Sequence, residues 1–214
     1  MARVFISASD QKNNSYAYGG TNEAEQCSQI AHLLDDFLSK NGVECIVGTG
    51  DMYNRVSQSN SANPDVHIAI HTNAFNGKVM GTRVFYYDMK ESYSFARAIY
   101  DSLAPVTIGD SDNISQNQDL YEMFATLAPA VYCECEFHDS LTGAKFIIDN
   151  KREIAEAIGR GILKVFGISE KTNDESGQLY KVQVGAFKNK ENADSFLKDV
   201  KKIYTDAFIV ESEE

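Results

Sequence analysis

Four side chains have the types and positions to do metal-assisted acid–base chemistry together: Asp10, Glu23, His71 and Glu134. His71 closes the stretch DVHIAIHTNAFN (65–76), where Val66, Ile68 and Ile70 alternate with His67, Ala69 and His71 as in a buried strand. Residues 72–77 then form a polar exit rich in turn formers. Open α/β sheets place ligands and metals at such strand ends. Asp10 follows the first expected strand, Glu23 opens the first expected helix, and Glu134 lies in PAVYCECEF, where an ionised carboxylate is costly unless it faces a site. A catalytic zinc takes about three protein ligands and keeps one position open to water. It acidifies that water while a nearby carboxylate moves the proton. On this reading Glu23, His71 and one further group supply ligands, and Glu134 is the base.

Blander readings stand beside these. A buried histidine can simply be hydrogen-bonded in a core, and a glutamate in a first turn suits the helix dipole without further purpose. Glu134 and Glu136 share a strand face, so one of them could face solvent. Cys133, Cys135 and His138 spell CxCxxH, but two sulfurs about 6.5 Å apart along a strand are too wide for one tetrahedral zinc. They read as buried cysteines. His67 and His71, roughly 13 Å apart along a strand, cannot share a metal. His32 falls on a helix as a surface or core residue.

The elements that must position these groups alternate. Strands are expected at 3–6, 43–47, 66–71, 81–87 and 129–137, and helices from Glu23 to about 40, then 54–62, 92–103 and 145–166, with 104–128 mostly irregular. Thr21 or Asn22 caps the first helix and Asn41-Gly42 ends it. Such alternation predicts an α/β fold: a mixed, mostly parallel twisted sheet with helices on both faces. Residues 169–178, around SEKTNDESG, read as a linker after a domain at 1–168. Residues 179–214 restart the pattern as a small β-α-β module, with strands LYKVQVGAF and DAFIVE around one helix. So small a unit must pair with a second copy, as in a homodimer, or pack on the first domain.

Composition narrows the partners. The 214 residues carry a net charge of −11, which argues against a nucleic-acid binder and against electrostatic adhesion to anionic membranes. No run reaches the roughly 20 apolar residues of a membrane span, and MARVFISASD does not read as a signal peptide. Synthesis in the cytoplasm is therefore expected, with any task outside needing another exit. The four cysteines lack the density of a disulfide scaffold and are expected reduced.

Three segments resemble, in order, the motifs of the zinc-dependent N-acetylmuramoyl-L-alanine amidases of the Amidase_3 type. NEAEQCSQIA resembles the motif supplying a zinc-binding glutamate, here Glu23; HIAIHTNAFNG resembles the IHANA strand, here ending in His71; PAVYCECEF resembles PAVLVEVGF, whose glutamate is catalytic, here Glu134. The first motif departs: where the family has a zinc-binding histidine in DPGHGG, this chain has SASDQK and the position falls on Asp10. Asp10 is thus the candidate third ligand, with Gln11 and His138 as runners-up. Glu136 in place of a usual glycine suggests a branch like clostridial phage endolysins and sporulation amidases. The resemblance implies Zn²⁺ as cofactor, peptidoglycan as substrate, and cleavage between N-acetylmuramic acid and the L-Ala of the stem peptide. Asn73 would shape the substrate groove, with Arg55 and Asn60 bracing the site. It implies action on the cell wall after release through membrane lesions or lysis. The missing histidine keeps open a non-catalytic wall-binding protein with a degenerate zinc site. The tail is similar to half of a SPOR repeat, which implies wall binding, dimerisation or both.

Overall fold

The computed structural model describes residues 1–88, 90–171, 183–202, 204 and 207–210. The chain divides into two compact units, Met1–Lys171 and Thr172–Glu214.

The first unit is built on six strands: β1 (Arg3–Ala8), β2 (Glu44–Val47), β3 (Val66–Asn73), β4 (Arg83–Tyr86), β5 (Asn113–Gln116) and β6 (Ala130–Phe137). Their order is β2-β1-β3-β6-β4-β5. The first four in that order are parallel; β4 runs antiparallel to β6, and β5 follows β4. This is the mixed, mostly parallel sheet that the alternation predicts.

The two sheet faces differ in chemistry because strand side chains alternate. Val4, Ile6, Ile68, Ile70, Val131, Cys133 and Cys135 join one large core with helices α1 (Glu23–Lys40), α3 (Ser92–Leu103) and α5 (Leu141–Phe166). The opposite face carries Ser7, His67, Ala69, His71, Tyr132 and Glu134, and is covered by α2 (Met52–Ala62) and the single turn α4 (Tyr121–Phe124). Its apolar cluster is small: Ala69, Met123, Ala130 and Tyr132. The chain thus puts its bulk apolar residues on one face and its polar, chemically active ones on the other.

Local chemistry sets the helix ends. The Asn22 side chain accepts from Glu25 N and caps α1, while Asp51 caps α2 two residues before the expected start. Ser140 caps α5 four residues early, and α5 breaks from helical geometry at Asn150, whose amide bonds back to the Phe146 carbonyl. Two elements inside the expected irregular stretch were not legible. β5 reads NISQ, without an apolar alternation, and exists through pairing with β4; α4 is one turn, too short to show a period.

The second unit contains helix α6 (Lys190–Val200), capped by Asn189, with Phe187 and Phe196 rings 5.3 Å apart. The expected strands fall partly on residues 179–182, 206 and 211, outside the described residues. Their described parts, 183–187 and 207–210, are not in a β ladder. A strand is defined by its partner, and one strand pair is marginal alone. Among the described residues, no helix is long and apolar enough to cross a membrane.

Helices α3 and α5 cross so closely that a Cβ on Gly161 would lie 2.5 Å from Ile99 Cα. Gly161→Ala is therefore expected to destabilise the fold by about 1–3 kcal/mol through overpacking. Helix propensity alone would give a gain of about 1 kcal/mol. A urea denaturation midpoint distinguishes the two signs.

Candidate active site

The sheet reverses its winding between β1 and β3: the chain leaves β1 through α1 to β2 on one side and leaves β3 toward β6 on the other. Ligand crevices form at such switch points, beyond the carboxyl ends of the strands. His71, near the end of β3, lies there.

The His71 ring is held from both sides. Nδ1 sits 2.8 Å from Glu23 Oε1, and Nε2 sits 3.4 Å from Glu122 Oε2. The ring also stacks on Tyr132, centroids 4.2 Å apart. Burial works against the charged imidazolium, but the hydrogen bonds with Glu122 and Glu23 outweigh it and lift the pKa to about 9. The Gln11 side-chain amide approaches the same Nδ1 at 3.4 Å. Asn14 Nδ2 donates to both Gln11 Oε1 and Glu23 Oε2, each at 2.7 Å, and so ties the two together.

Glu122 is the residue that sequence reasoning missed. It is buried on α4, and its carboxylate bridges His71 and His67, whose Nε2 lies 3.5 Å away, while accepting from the Ser7 hydroxyl. Burial opposes ionisation, yet the hydrogen bonds and charges of His67 and His71 hold this carboxyl well below the usual range. His67 and His71 cannot share a metal, but they share this carboxylate. The one available signal was a lone glutamate in the apolar turn DLYEMF.

Arg55, also buried, donates Nε to Ser7 Oγ (2.8 Å) and an amine to the Gly50 carbonyl (2.7 Å). Its remaining amine pairs with Asp10 at 3.2 Å. Asp10 therefore turns to Arg55 and stands at the cleft rim, its side chain 42% exposed. The structure does not bring it to the His71–Glu23 pair, which corrects the geometry expected for the first motif. Among the described residues, no group of three His, Cys, Asp or Glu side chains gathers to hold a metal ion. Asn60 braces the segment after α4: its amide donates to Ala125 O and accepts from Leu127 N.

Glu134 faces His71 directly across the β3–β6 pairing. Its Oε2 is shielded from solvent and has no hydrogen-bond partner among the described residues. Burial pushes its carboxyl up to about 7; His71 pulls the value down and Glu23 adds to the rise. A carboxyl in this range can both take and give a proton near neutral pH. Glu136, by contrast, does not face solvent. It is fully buried and accepts backbone N–H bonds from Gly81 (2.7 Å), Phe137 (2.8 Å) and Ile108 (3.2 Å), a purely structural anchor. A β-bulge between the pairings of His71 and Asn73 lets neighbouring glutamates take such different roles.

His138 stacks on Tyr16 at 4.9 Å and shares the Thr72 hydroxyl, with Nδ1 2.9 Å from its oxygen. It belongs to the wall of the site rather than to the His71–Glu23 pair. Cys133 and Cys135 are buried, free thiols whose pKa values burial raises. Asn73 uses its side-chain oxygen to accept from Ala74 N (2.8 Å) and lines a neighbouring cleft.

An α/β sheet with a histidine–carboxylate pair at its switch point and an unpartnered glutamate on the next strand defines a hydrolase-type centre. Residues 4–164 match the N-acetylmuramoyl-L-alanine amidase family Amidase_3, and the chain belongs to that family. It is accordingly a peptidoglycan hydrolase, acting on the amide between N-acetylmuramic acid and L-alanine. Residues 151–211 match the SPOR domain. A sporulation-specific N-acetylmuramoyl-L-alanine amidase of Bacillus subtilis (strain 168) is 26% identical over 205 residues, 91% of this chain and 79% of that protein. Among solved structures, the CwlV amidase catalytic domain from Bacillus (Paenibacillus) polymyxa var. colistinus superimposes with TM-score 0.70 at 20% identity, covering 79% of this chain and all of that one. The catalytic domain of the CD27L endolysin targeting Clostridia difficile gives 0.65 at 25% identity, over 77% and 98%.

The raised pKa of Glu134 has a cost in stability. In the metal-free protein the folded state favours the protonated acid, so the contribution of Glu134 to stability is full below about 4.5 and is lost as pH rises toward about 7. The gap between 4.5 and about 7 corresponds to about 3 kcal/mol. Glu134→Gln is expected to lose turnover yet raise metal-free stability above pH 7 by up to that amount, with little gain at pH 4. Denaturant titrations at the two pH values check the sign.

Proposed function

We propose that the chain hydrolyses its amide by attack of a water that Glu134 deprotonates, and that Glu23 and His71 are residues that would hold a Zn²⁺ ion. The single observation that carries this is the orphaned Glu134 Oε2 beside the His71–Glu23 pair. A buried carboxylate oxygen without a partner is costly, and a reacting water or amine would satisfy it.

The donor set suits zinc. Glu23 Oε1 and His71 Nδ1 converge, and Glu122 takes the other ring nitrogen, as an outer carboxylate does for a metal-bound histidine. Such a partner would keep the proton on Nε2, so that Nδ1, which donates to Glu23 in the metal-free protein, could give up its proton and offer its lone pair to the metal. For the third place Gln11 is the better candidate than Asp10: its amide nitrogen lies 3.4 Å from His71 Nδ1, so turning the amide over would present its oxygen there, whereas Arg55 holds Asp10. When bound, Zn²⁺ would acidify its water and polarise the amide carbonyl.

The chain's own groups do the rest. Glu134 takes the proton from the attacking water and returns it to the departing L-Ala amine, both within the range its burial sets. Tyr132 holds the His71 ring plane, and the Ser7–Arg55 pair holds Glu122 in place. The SPOR-like tail would bind glycan and keep the enzyme on the wall. The homodimer expected of so small a tail finds no support beside this. Release through membrane lesions or lysis would bring the enzyme to its substrate.

Three outcomes are expected. A chelator should abolish release of N-terminal alanine from purified cell walls, with zinc restoring it; activity untouched by complete metal removal, confirmed by elemental analysis, overturns the zinc mechanism. Gln11→Ala should weaken zinc about tenfold or more in a competition titration, while Asp10→Ala leaves it within about threefold; the reverse result returns the third place to Asp10. A chain ending at Lys171 should cleave soluble muramoyl peptides like the full chain but sediment less with cell walls. Equal sedimentation removes wall binding from the tail.

A further inference from the structure

A second cleft, of about 510 Å³, opens where β4 and the ends of β3 and β6 meet, lined by Arg83, Phe85, Phe137 and Asn73. Arg83 is its cation. In the antiparallel β4–β6 pairing Arg83 stands directly opposite Glu134, so the two side chains share a sheet face. His71, Glu134 and Arg83 thus form one row across β3, β6 and β4. Arg83 donates to Ser111 Oγ at 2.6 Å, and its guanidinium lies 5.9 Å from the Phe137 ring centroid. Among the described residues it has no carboxylate partner, although Glu134 is its cross-strand neighbour. Phe75, Phe85 and Phe137 form apolar walls, and Asn73 lies at the edge. A half-buried guanidinium in an aromatic-walled cleft, with donors left over, suits a carboxylate taken from a ligand.

We propose that Arg83 binds the carboxylate of the second stem-peptide residue, the one that follows L-alanine; this rests on the amidase reading above. Direction supports it. Glu134 returns its proton to the leaving amine, which belongs to the peptide half, so the peptide departs from the Glu134 side. The next strand on that side is β4, about 4.8 Å away. The second residue's backbone carboxylate lies about two residue lengths, roughly 7 Å, from the scissile nitrogen. A neighbouring strand plus an arginine side chain spans that interval. The sugar half carries the carbonyl and lies toward His71, so the anion comes from the peptide.

The experiment compares N-acetylmuramoyl-L-Ala-D-Glu with the same compound amidated at the α-carboxylate. Wild type is expected to favour the free acid by about 10- to 100-fold in kcat/KM, the range for a hydrogen bond to a charged group. Arg83→Gln should lose that preference while cleaving the amidated compound at about the wild-type rate, and Arg83→Lys should recover part of it. Titration calorimetry of the dipeptide L-Ala-D-Glu and its α-amide against wild type and Arg83→Gln reads the same preference without turnover. Equal loss on both compounds in Arg83→Gln, or no discrimination by wild type in either measurement, overturns the subsite. Cell walls left uncut by wild type with zinc present overturn the amidase reading instead, and the calorimetry still decides the carboxylate subsite.

Discussion

A carboxylate buried without water must be paired, and in this protein that constraint falls on Glu122. It hydrogen-bonds His71 and Ser7 and stands 3.5 Å from His67 Nε2, and Ser7 in turn holds Arg55. These residues come from β3, β1, α2 and α4, so one ionised group clamps four separate pieces of chain over the polar sheet face. The clamp also gives His71 its orientation. With one ring nitrogen committed to Glu122, only the other can work in the cleft, and it faces Glu23.

The two glutamates of β6 show how environment divides a single chemistry. Glu136 is saturated by three backbone N–H groups and organises the approach to β4 and the loop at Ile108. Glu134, two residues earlier, keeps an oxygen that nothing satisfies. The first is a stable anchor because its donors are fixed backbone. The second keeps a raised pKa because its burial is not compensated, and the fold carries that cost beside a large apolar core on the other side of the sheet. Asp10 shows the same principle at the rim, where a free carboxylate is drawn to the nearest buried guanidinium.

The site is laid out as a row. His71, Glu134 and Arg83 follow one another across three strands, so strand spacing sets the distances between the positions proposed to bind metal, transfer the proton and hold substrate. Sites built on strands hold their geometry better than sites on loops, and here His71 and Glu134 stand on strands, while Asp10, Gln11 and Asn14 come from a loop.

The sequence by itself determined the elements whose pattern is periodic: the buried alternation of β3, the apolar stripes of α1, α3 and α5, and the strand–helix alternation that makes a mixed sheet. It also marked Glu23, His71 and Glu134, because a helix start, a strand end and an apolar strand interior each make a polar residue conspicuous. Only the tertiary structure decided what long-range pairing controls. β5 and α4 have too few residues to carry a period. Glu122 acquires meaning solely from histidines 55 and 51 positions away in the chain. Arg83 meets Glu134 through antiparallel register between strands about fifty residues apart, and register is a property of two strands together. Asp10 sits at the motif's position in sequence, but Arg55, reaching across from α2, decided where its carboxylate points.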